Sequence, residues 1–216
     1  MDVLLIAVAG VLGAAFGYGA DLLSRRWPEH EDRSIRAQDW RTAAVVVAGA
    51  AGFAATQARF GTDLVDVLVV GIIVAALVVL FATDLDQRLL PDVITLSIVP
   101  FALLVFAAGA SPFVVSVEEL AYAVGVGLVV PVALYALSIP FGRGAIGQGD
   151  LKLLFGMSLF AGATKLFYGL VVGAAAAGIV VAILVFIRRI SLNSYVPYGP
   201  FLIAGMLWAI LGLPPR

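Results

Sequence analysis

The chain has 216 residues, of which 62% are hydrophobic and 12% are charged. That charged fraction is about half the usual value for globular domains, which excludes a soluble protein. A formal net charge of −1 gives no indication of nucleic-acid binding, and the absence of cysteine excludes disulfides, Cys-ligated zinc and thiol catalysis. We therefore predict an all-α, polytopic integral membrane protein, embedded in the lipid bilayer as a single domain over residues 1–216.

Eight apolar segments follow one another along the chain, and a membrane-spanning helix needs about 20 such residues. The sixth segment is short, because at about 1.5 Å per residue it reaches roughly 20 Å of a ~30 Å hydrocarbon core. It is either extended by its flanks or a partial span that lines a cavity. The segments are Val3–Leu23, Ala43–Ala58, Leu64–Thr83, Val93–Ala110, Leu120–Pro140, Leu151–Ala163, Leu166–Ile187 and Tyr198–Leu213.

The basic residues of the loops favour eight spans with the N-terminus outside. Of the 13 basic residues, this arrangement leaves only Arg59, Lys165 and Arg216 outside, in agreement with the positive-inside rule. Omitting the sixth span would move Arg188 and Arg189 outside, so eight is the better count. The two acid-bearing loops described next then face the cytoplasm.

Two stretches of the chain place acids at the edge of an apolar segment. Asp150 directly precedes the sixth segment, and Asp84 follows the third, in the stretch 84–92. An ionisable group at a membrane edge is costly to desolvate and is by default a functional candidate. The two acids therefore predict a paired-carboxylate site.

The neighbours of these acids suggest how each would be presented. Glycine at positions 147 and 149 permits a tight turn, including one with positive φ, that leaves Asp150 unobstructed. Pro91 would end the loop after Asp84 and begin the next helix at a fixed φ. Gly147, Gly149 and Pro91 are therefore predicted to shape the site.

A pair of carboxylates can hydrolyse a peptide bond without a metal or other cofactor. Two carboxylates held close together cannot both ionise cheaply, so the pair shares a proton. One acid can then deprotonate a water while the other protonates the carbonyl oxygen. The sequence contains no competing Ser-His set, HExxH motif or P-loop, and the single His30 lies in a polar loop, where a solvated side chain is expected.

Other interpretations of the same residues remain open at this point. Asp92 has the position of a helix N-cap, and Asp86 could pair locally with Arg88. An acid-coupled transporter would also need paired intramembrane acids, whereas a non-enzymatic membrane subunit would need none. The small-residue patterns at 13–17 and 169–173 fit either helix packing within one chain or a homodimer face.

Four stretches together resemble the type IV prepilin peptidases, a family of polytopic membrane aspartic proteases. Residues 147–150, GQGD, are similar to the GxGD signature of that family, and residues 84–92 resemble its first aspartate motif, an acid followed by a Pro-Asp pair. Residues 196–201, VPYGPF, are similar to the family's Pro-Phe-Gly-Pro-Phe opening of the last helix. Residues 13–28 resemble the first helix of the full-length enzymes, with its Arg-x-Pro exit.

The resemblance implies that Asp84 and Asp150 are the catalytic aspartates, while Asp92 and Lys152 match motif positions of less certain role. Lys152 would either be a charge partner of a carboxylate or extend to the membrane interface. The implied reaction is removal of leader peptides from type IV prepilins or prepilin-like precursors, at the cytoplasmic side of the inner membrane, just before a hydrophobic helix. The short loop 24–42 stands where bifunctional members carry a cysteine-rich methyltransferase domain, so we expect a peptidase-only form.

Overall fold

The computed structural model describes residues 3–28, 36–139, 147–189 and 198–213, and within these ranges the chain forms helices and no strands. This confirms the all-α prediction for that part of the chain. The helices are α1 (Val3–Ser24), α2 (Trp40–Phe60), α3 (Leu64–Gln87), α4 (Asp92–Ala107), α5 (Val117–Ser138), α6 (Gln148–Phe186) and α7 (Gly199–Gly212).

Five of these helices, α1, α2, α3, α5 and α6, are long and apolar enough to cross a membrane, while α4 and α7 are shorter apolar helices. Their outward faces carry many exposed apolar side chains, such as Val3 at 76% and Phe186 at 87% exposure. A multi-pass membrane protein follows from these properties. The predicted count of eight spans and the orientation of the N-terminus are not established by helix length and composition.

Polar caps extend the helices beyond the apolar segments that predicted them. Asp39 accepts a hydrogen bond from the Arg41 N–H at 2.8 Å and begins α2, and Ser116 accepts one from the Glu119 N–H at 3.1 Å and begins α5. At its other end, α3 continues to Gln87 instead of ending at Thr83. Asp84 therefore lies in the last turn of α3 and not in a loop after it.

A single glycine divides α6, which has 39 residues, into two parts. Gly162 has φ 82° and ψ 160°, a backbone conformation that is not helical and that side-chain-bearing residues rarely adopt. Helix α6 covers the predicted sixth segment and all of the seventh except its last residue, Ile187, and the break lies near the predicted end of the sixth. The two parts therefore correspond to the two predicted segments.

Contacts along α6 show that its two parts run in opposite directions. In the first part, Gly149 packs against Leu90 just before α4, and Gly162 lies near Val114, beyond the end of α4. In the second part, Gly169 packs against Gly205 and Gly173 packs against Phe201, so the chain returns toward the start of α7. The short sixth segment thus carries the chain from one end of the bundle to the other.

The bundle has two distinct ends. At the site end, α3 finishes and α4, α6 and α7 begin. At the far end, the Arg59 guanidinium donates to the Leu211 carbonyl at the end of α7, and the rings of Phe60, Phe113 and Phe160 pack edge to face. These opposite ends define the direction of every helix relative to the site.

Helix α3 lies at the centre and small residues hold the other helices close together. Val70, Val74, Leu77 and Leu80 of α3 have no exposed surface. In lipid, helices associate mainly through close packing, which small residues permit. Both small-residue patterns serve this purpose inside the chain: residues 13–17 lie against the α2 backbone, and residues 169–173 against α7.

Candidate active site

A cavity of about 390 Å³ opens at the site end, between the end of α3 and the starts of α4, α6 and α7. It brings together stretches that lie far apart in the sequence. All residues predicted for the site line this one cavity, namely Asp84, Pro91, Asp92, Gly147, Gly149, Asp150 and Lys152.

Asp84 contributes a buried carboxylate from the last turn of α3. The residue is 5% exposed, and its Oδ2 atom is buried without a hydrogen-bond partner among the described residues. The first residue of α7, Gly199, lies directly against it, since a side chain at Gly199 would approach Asp84 Cγ to 2.7 Å. The free N–H groups of a helix start favour a nearby negative charge, whereas an unpaired buried oxygen is costly and calls for a functional reason.

Asp150 contributes the second carboxylate from the first turn of α6. Its side chain folds back and accepts a hydrogen bond from the Gly147 backbone N–H, which is the acid half of a capping box. Asp150 lines the same cavity as Asp84, and its negative charge opposes that of Asp84, which Arg88 partly balances. The start of α6 therefore brings a second acid into the cavity of the buried Asp84 carboxylate.

The two glycines before Asp150 act through close packing and not through unusual backbone angles. Gly147 has φ −64° and Gly149 is helical, so neither glycine adopts the positive φ that the sequence permits. A side chain at Gly149 would instead approach Leu90 Cβ to 2.7 Å. Glycine at 149 thus lets the start of α6 lie against the connection between α3 and α4, which brings Asp150 toward Asp84.

The Pro-Asp pair begins α4 at the rim of the cavity. Pro91 is the cap residue, with φ −60° and no side-chain hydrogen bond, and Asp92 is the first helical residue, so the N-cap interpretation of Asp92 is wrong. The Lys152 ammonium instead donates to both Asp92 carboxylate oxygens at 2.7 Å. Of the two alternatives for Lys152, the structure shows a charge partner, which joins the starts of α4 and α6.

Six residues that line the cavity were missing from the predicted site, namely Arg88, Leu89, Leu90, Gln148, Tyr198 and Gly199. Tyr198 lines the cavity, and its hydroxyl is a hydrogen-bond donor at neutral pH. The Gly-Pro-Phe pattern at 199–201 was the available signal, but it predicted only the start of the last helix. Residues 196 and 197 of that pattern lie outside the described residues.

A second polar cluster, which we call the arginine network, lies beside the cavity and consists of Asp21, Arg25, Arg36, Asp39 and Asp86. Arg36 donates from Nε to Asp86 Oδ1 at 2.6 Å and pairs with Asp21 and Asp39, while Arg25 also pairs with Asp21. Burial lowers the pKa of Arg36, but the hydrogen bonds to Asp86 and Asp21 outweigh it and raise that pKa overall. The cation at its centre is therefore permanently charged.

The arginine network connects the end of α3 to α1 and α2. Arg41 of α2 also approaches Asp86, at 3.5 Å, and Gln87 donates to the backbone carbonyls of Ser24 and Pro28 at 2.9 Å each. Asp86 therefore has partners from the loop and from α2, where the sequence had suggested a local pair with Arg88. The helix end that carries Asp84 is fixed from its other side by these contacts.

Across residues 3–28, 36–139, 147–189 and 198–213, no group of three or more His, Asp or Glu side chains is arranged to hold a metal ion. His30, Arg33 and Arg143 fall outside these ranges. The polar groups that line the described cavity are thus the two carboxylates, the Arg88 guanidinium, the Tyr198 hydroxyl and a lysine–aspartate pair at its rim.

Comparison with known proteins gives one match. Residues 71–187, more than half of the chain, match the family model of the type IV leader peptidase family. The matched region contains Asp84, Asp92, Asp150 and Lys152 and ends before Tyr198. No curated protein and no solved structure gives a significant match to the chain.

Proposed function

This chain belongs to the type IV leader peptidase family, and we propose that it is a membrane aspartic endopeptidase with Asp84 and Asp150 as its catalytic residues. Its substrates are type IV prepilins or prepilin-like precursors, from which it removes the leader peptide. One observation carries this proposal: two acids from distant segments line the same cavity, and one of them keeps a buried oxygen without a partner among the described residues.

The reaction uses a water molecule bound between the two carboxylates. One carboxylate takes a proton from the water as the water oxygen attacks the carbonyl carbon of the scissile bond, while the other, protonated, donates its proton to the carbonyl oxygen. In the second step the acid that took the proton from water gives it to the amide nitrogen, the C–N bond breaks, and the other carboxylate takes a proton from a hydroxyl of the intermediate. The products are a carboxylic acid and an amine, and the pair again holds one proton. No cofactor takes part.

The distribution of basic residues supports a site that faces the cytoplasm. Arg36, Arg41 and Lys152 lie at the site end of the bundle, whereas Arg59 and Lys165 lie at the far end, near the ends of α7 and α4. Cytoplasmic loops carry the excess of Lys and Arg. With α6 crossing and returning at Gly162, successive helical stretches alternate between the two ends, which supports eight crossings and an external N-terminus.

A cleavage assay in membranes tests the proposal. The full chain is expressed with a leader-bearing precursor, and Asp84→Asn and Asp150→Asn are compared with wild type on a gel that resolves the leader. Asp66→Asn is the matched control, since it removes an acid from the far end of the same helix as Asp84. We expect processing by wild type and by Asp66→Asn only.

Each other outcome of this assay has a definite meaning. Processing that survives both Asp84→Asn and Asp150→Asn would reject the assignment of the catalytic residues. An acid-coupled transporter or a non-enzymatic pilus-assembly subunit would leave the precursor uncut even with wild type well expressed.

A further inference from the structure

A second cavity of about 390 Å³ adjoins the active-site cavity and differs from it in character. Its walls are apolar side chains of α4, α5 and α6, among them Leu96, Val132 and Phe155, and we call it the apolar groove. Lys152 lines both cavities, and Leu151, which follows Asp150 directly, lines the apolar groove. The apolar groove therefore begins where the active-site cavity ends.

The groove exists because two helices that flank it do not meet. Helices α4 and α5 each pack along α6, but within the described chain no Cα atom of α4 lies within 8 Å of a Cα atom of α5. Near the base of the groove α5 is pinned to α6, since the Ser158 hydroxyl donates to the Ala123 carbonyl at 2.7 Å and a side chain at Gly127 would approach Ser158 Cβ to 2.9 Å. Between this contact and the site end, a lateral gap remains open.

The position of the groove determines what chemistry it can accept. Its walls on α5 and α6 belong to helices that are apolar and long enough to cross a membrane, so the gap opens toward lipid. A polypeptide there must satisfy its own backbone hydrogen bonds, which in lipid restricts it to a helix, and it must have apolar side chains. A peptide bound across Asp84 and Asp150 that leaves the cavity past Lys152 enters this environment directly.

We propose that the apolar groove binds an apolar α-helix of the substrate that adjoins the scissile bond. The inference rests on the proposed function and adds the surface that selects the substrate. Along α5 the groove extends from Tyr135 to Gly127, about 12 Å or two helical turns at 1.5 Å per residue. The first turns of the substrate helix therefore occupy the gap between α4 and α5, which holds the bond to be cut at the two carboxylates.

Filling the groove tests this assignment with a matched control on the same helix. Val132 lines the groove and is 67% exposed, while Val129 is outside its lining and 66% exposed, so tryptophan at either position projects from an already exposed site. The full chain in membranes is given two substrates: the intact precursor, and a peptide with the leader and scissile bond but no apolar helix. Initial rates give kcat/KM for each.

We expect Val132→Trp to lower kcat/KM for the intact precursor by at least about tenfold more than for the peptide. The tryptophan ring would displace one or two apolar side chains of the substrate helix from the apolar groove. Val129→Trp should match wild type on both substrates. No loss on the intact precursor, or an equal loss on both substrates, would overturn the inference. Failure of wild type to cut either substrate would instead reject the proposed function, and the inference with it.

Photo-crosslinking gives a second readout that does not depend on turnover. A benzophenone amino acid replaces Val132, or Val129 as the control, in the Asp84→Asn variant so that the precursor stays uncut. A crosslink from position 132 to the apolar helix of the precursor, absent from position 129, is the expected result. Crosslinks to lipid alone, or equal crosslinks from both positions, would show that the groove is an ordinary lipid-facing surface.

Discussion

Two clusters of buried acids lie side by side at the site end of the bundle, and they differ in how their charge is balanced. In the arginine network, Asp21 and Asp86 have side chains only 1% and 3% exposed, and each is bonded to Arg36. In the active-site cavity, the charge of Asp150 opposes that of Asp84, the charge of Arg88 partly balances it, and Asp84 Oδ2 has no hydrogen-bond partner among the described residues. Only two positions along α3 separate Asp84 from Asp86.

The difference is the one expected between acids that maintain the fold and acids that are kept for chemistry. A buried ion pair is strongly destabilised when one partner is removed, because the other charge is left uncompensated. An acid with a buried oxygen that lacks a hydrogen-bond partner already lowers stability, so its retention points to a functional requirement. Substitutions in the two clusters should therefore have opposite effects on stability and activity.

The largest effects on turnover and on stability are expected when single acids of the two clusters are replaced by asparagine in separate variants. Asp84→Asn and Asp150→Asn should each lower turnover by about 10²–10⁴-fold or more, because general acid–base catalysis is lost, and should leave unfolding stability unchanged or higher. Asp21→Asn should lower the free energy of unfolding by about 3–5 kcal/mol, because Arg25 and Arg36 lose a buried partner. Precursor cleavage and unfolding in detergent, followed by tryptophan fluorescence, measure the two quantities.

The comparison is contradicted if substitutions in the two clusters have the same effect on stability. Loss of stability in Asp84→Asn equal to that in Asp21→Asn would mean that Asp84 is a structural acid. Full stability of Asp21→Asn would mean that the arginine network contributes little to the fold.

Removing the central cation of the arginine network, Arg36, should have the next largest effect on stability. Arg36→Ala should lower the free energy of unfolding by about 3–5 kcal/mol, because Asp21 and Asp86 both remain buried without it. Arg36→Lys keeps the charge but not the planar fork of donors, so it should fall between Arg36→Ala and wild type. Chemical unfolding in detergent, again by tryptophan fluorescence, ranks the three proteins, and equal stability of Arg36→Ala and wild type would contradict the prediction.

Moving Asp84 without changing its charge tests the geometry of the active-site cavity. In Gly199→Ala the new methyl group would lie 2.7 Å from Asp84 Cγ, so the carboxylate must shift. A displacement of about 1 Å costs roughly 10²-fold in rate. The control is Gly71→Ala in α3, where a methyl group meets no atom within 4 Å.

The rate of precursor cleavage by the two glycine variants decides this prediction. We expect Gly71→Ala to cleave like wild type. A Gly199→Ala variant that does the same would show that the contact between α7 and Asp84 is not needed for catalysis.

The class of the protein and the two acids could be predicted from the sequence because each rests on local chemistry. Apolar segments indicate a membrane protein however the segments pack together. An acid at the edge of an apolar segment can be recognised from its immediate neighbours in the sequence. The family signatures around Asp84 and Asp150 are also local patterns. The family match and the shared cavity agree with these predictions, while the catalytic role of the two acids stays a prediction.

The features that escaped prediction all depend on contacts between distant segments. Nothing near Arg36 in the sequence indicates that it meets Asp86, and nothing near Gly199 indicates that its missing side chain makes room for Asp84. The role of Gly149 was misjudged for the same reason: its requirement comes from Leu90 on another segment and not from its own backbone angles. The starts of α2 and α5 were also placed too late, because their caps, Asp39 and Ser116, are polar and lie outside the apolar segments.

The ion pair between Asp92 and Lys152 is more exposed than the acids of the two clusters, so its removal should have the smallest effect on stability. Its side chains are 59% and 32% exposed, so solvent screens the pair and Asp92→Asn should change the free energy of unfolding by about 1 kcal/mol or less. The double variant with Asp92→Lys and Lys152→Asp keeps the pair in reversed order. If the pair serves only to join α4 and α6, this variant should cleave the precursor like wild type, as measured in the membrane assay. Loss of cleavage in the reversed pair, with stability unchanged, would instead show that a positive charge is required at position 152 itself, on the boundary between the active-site cavity and the apolar groove.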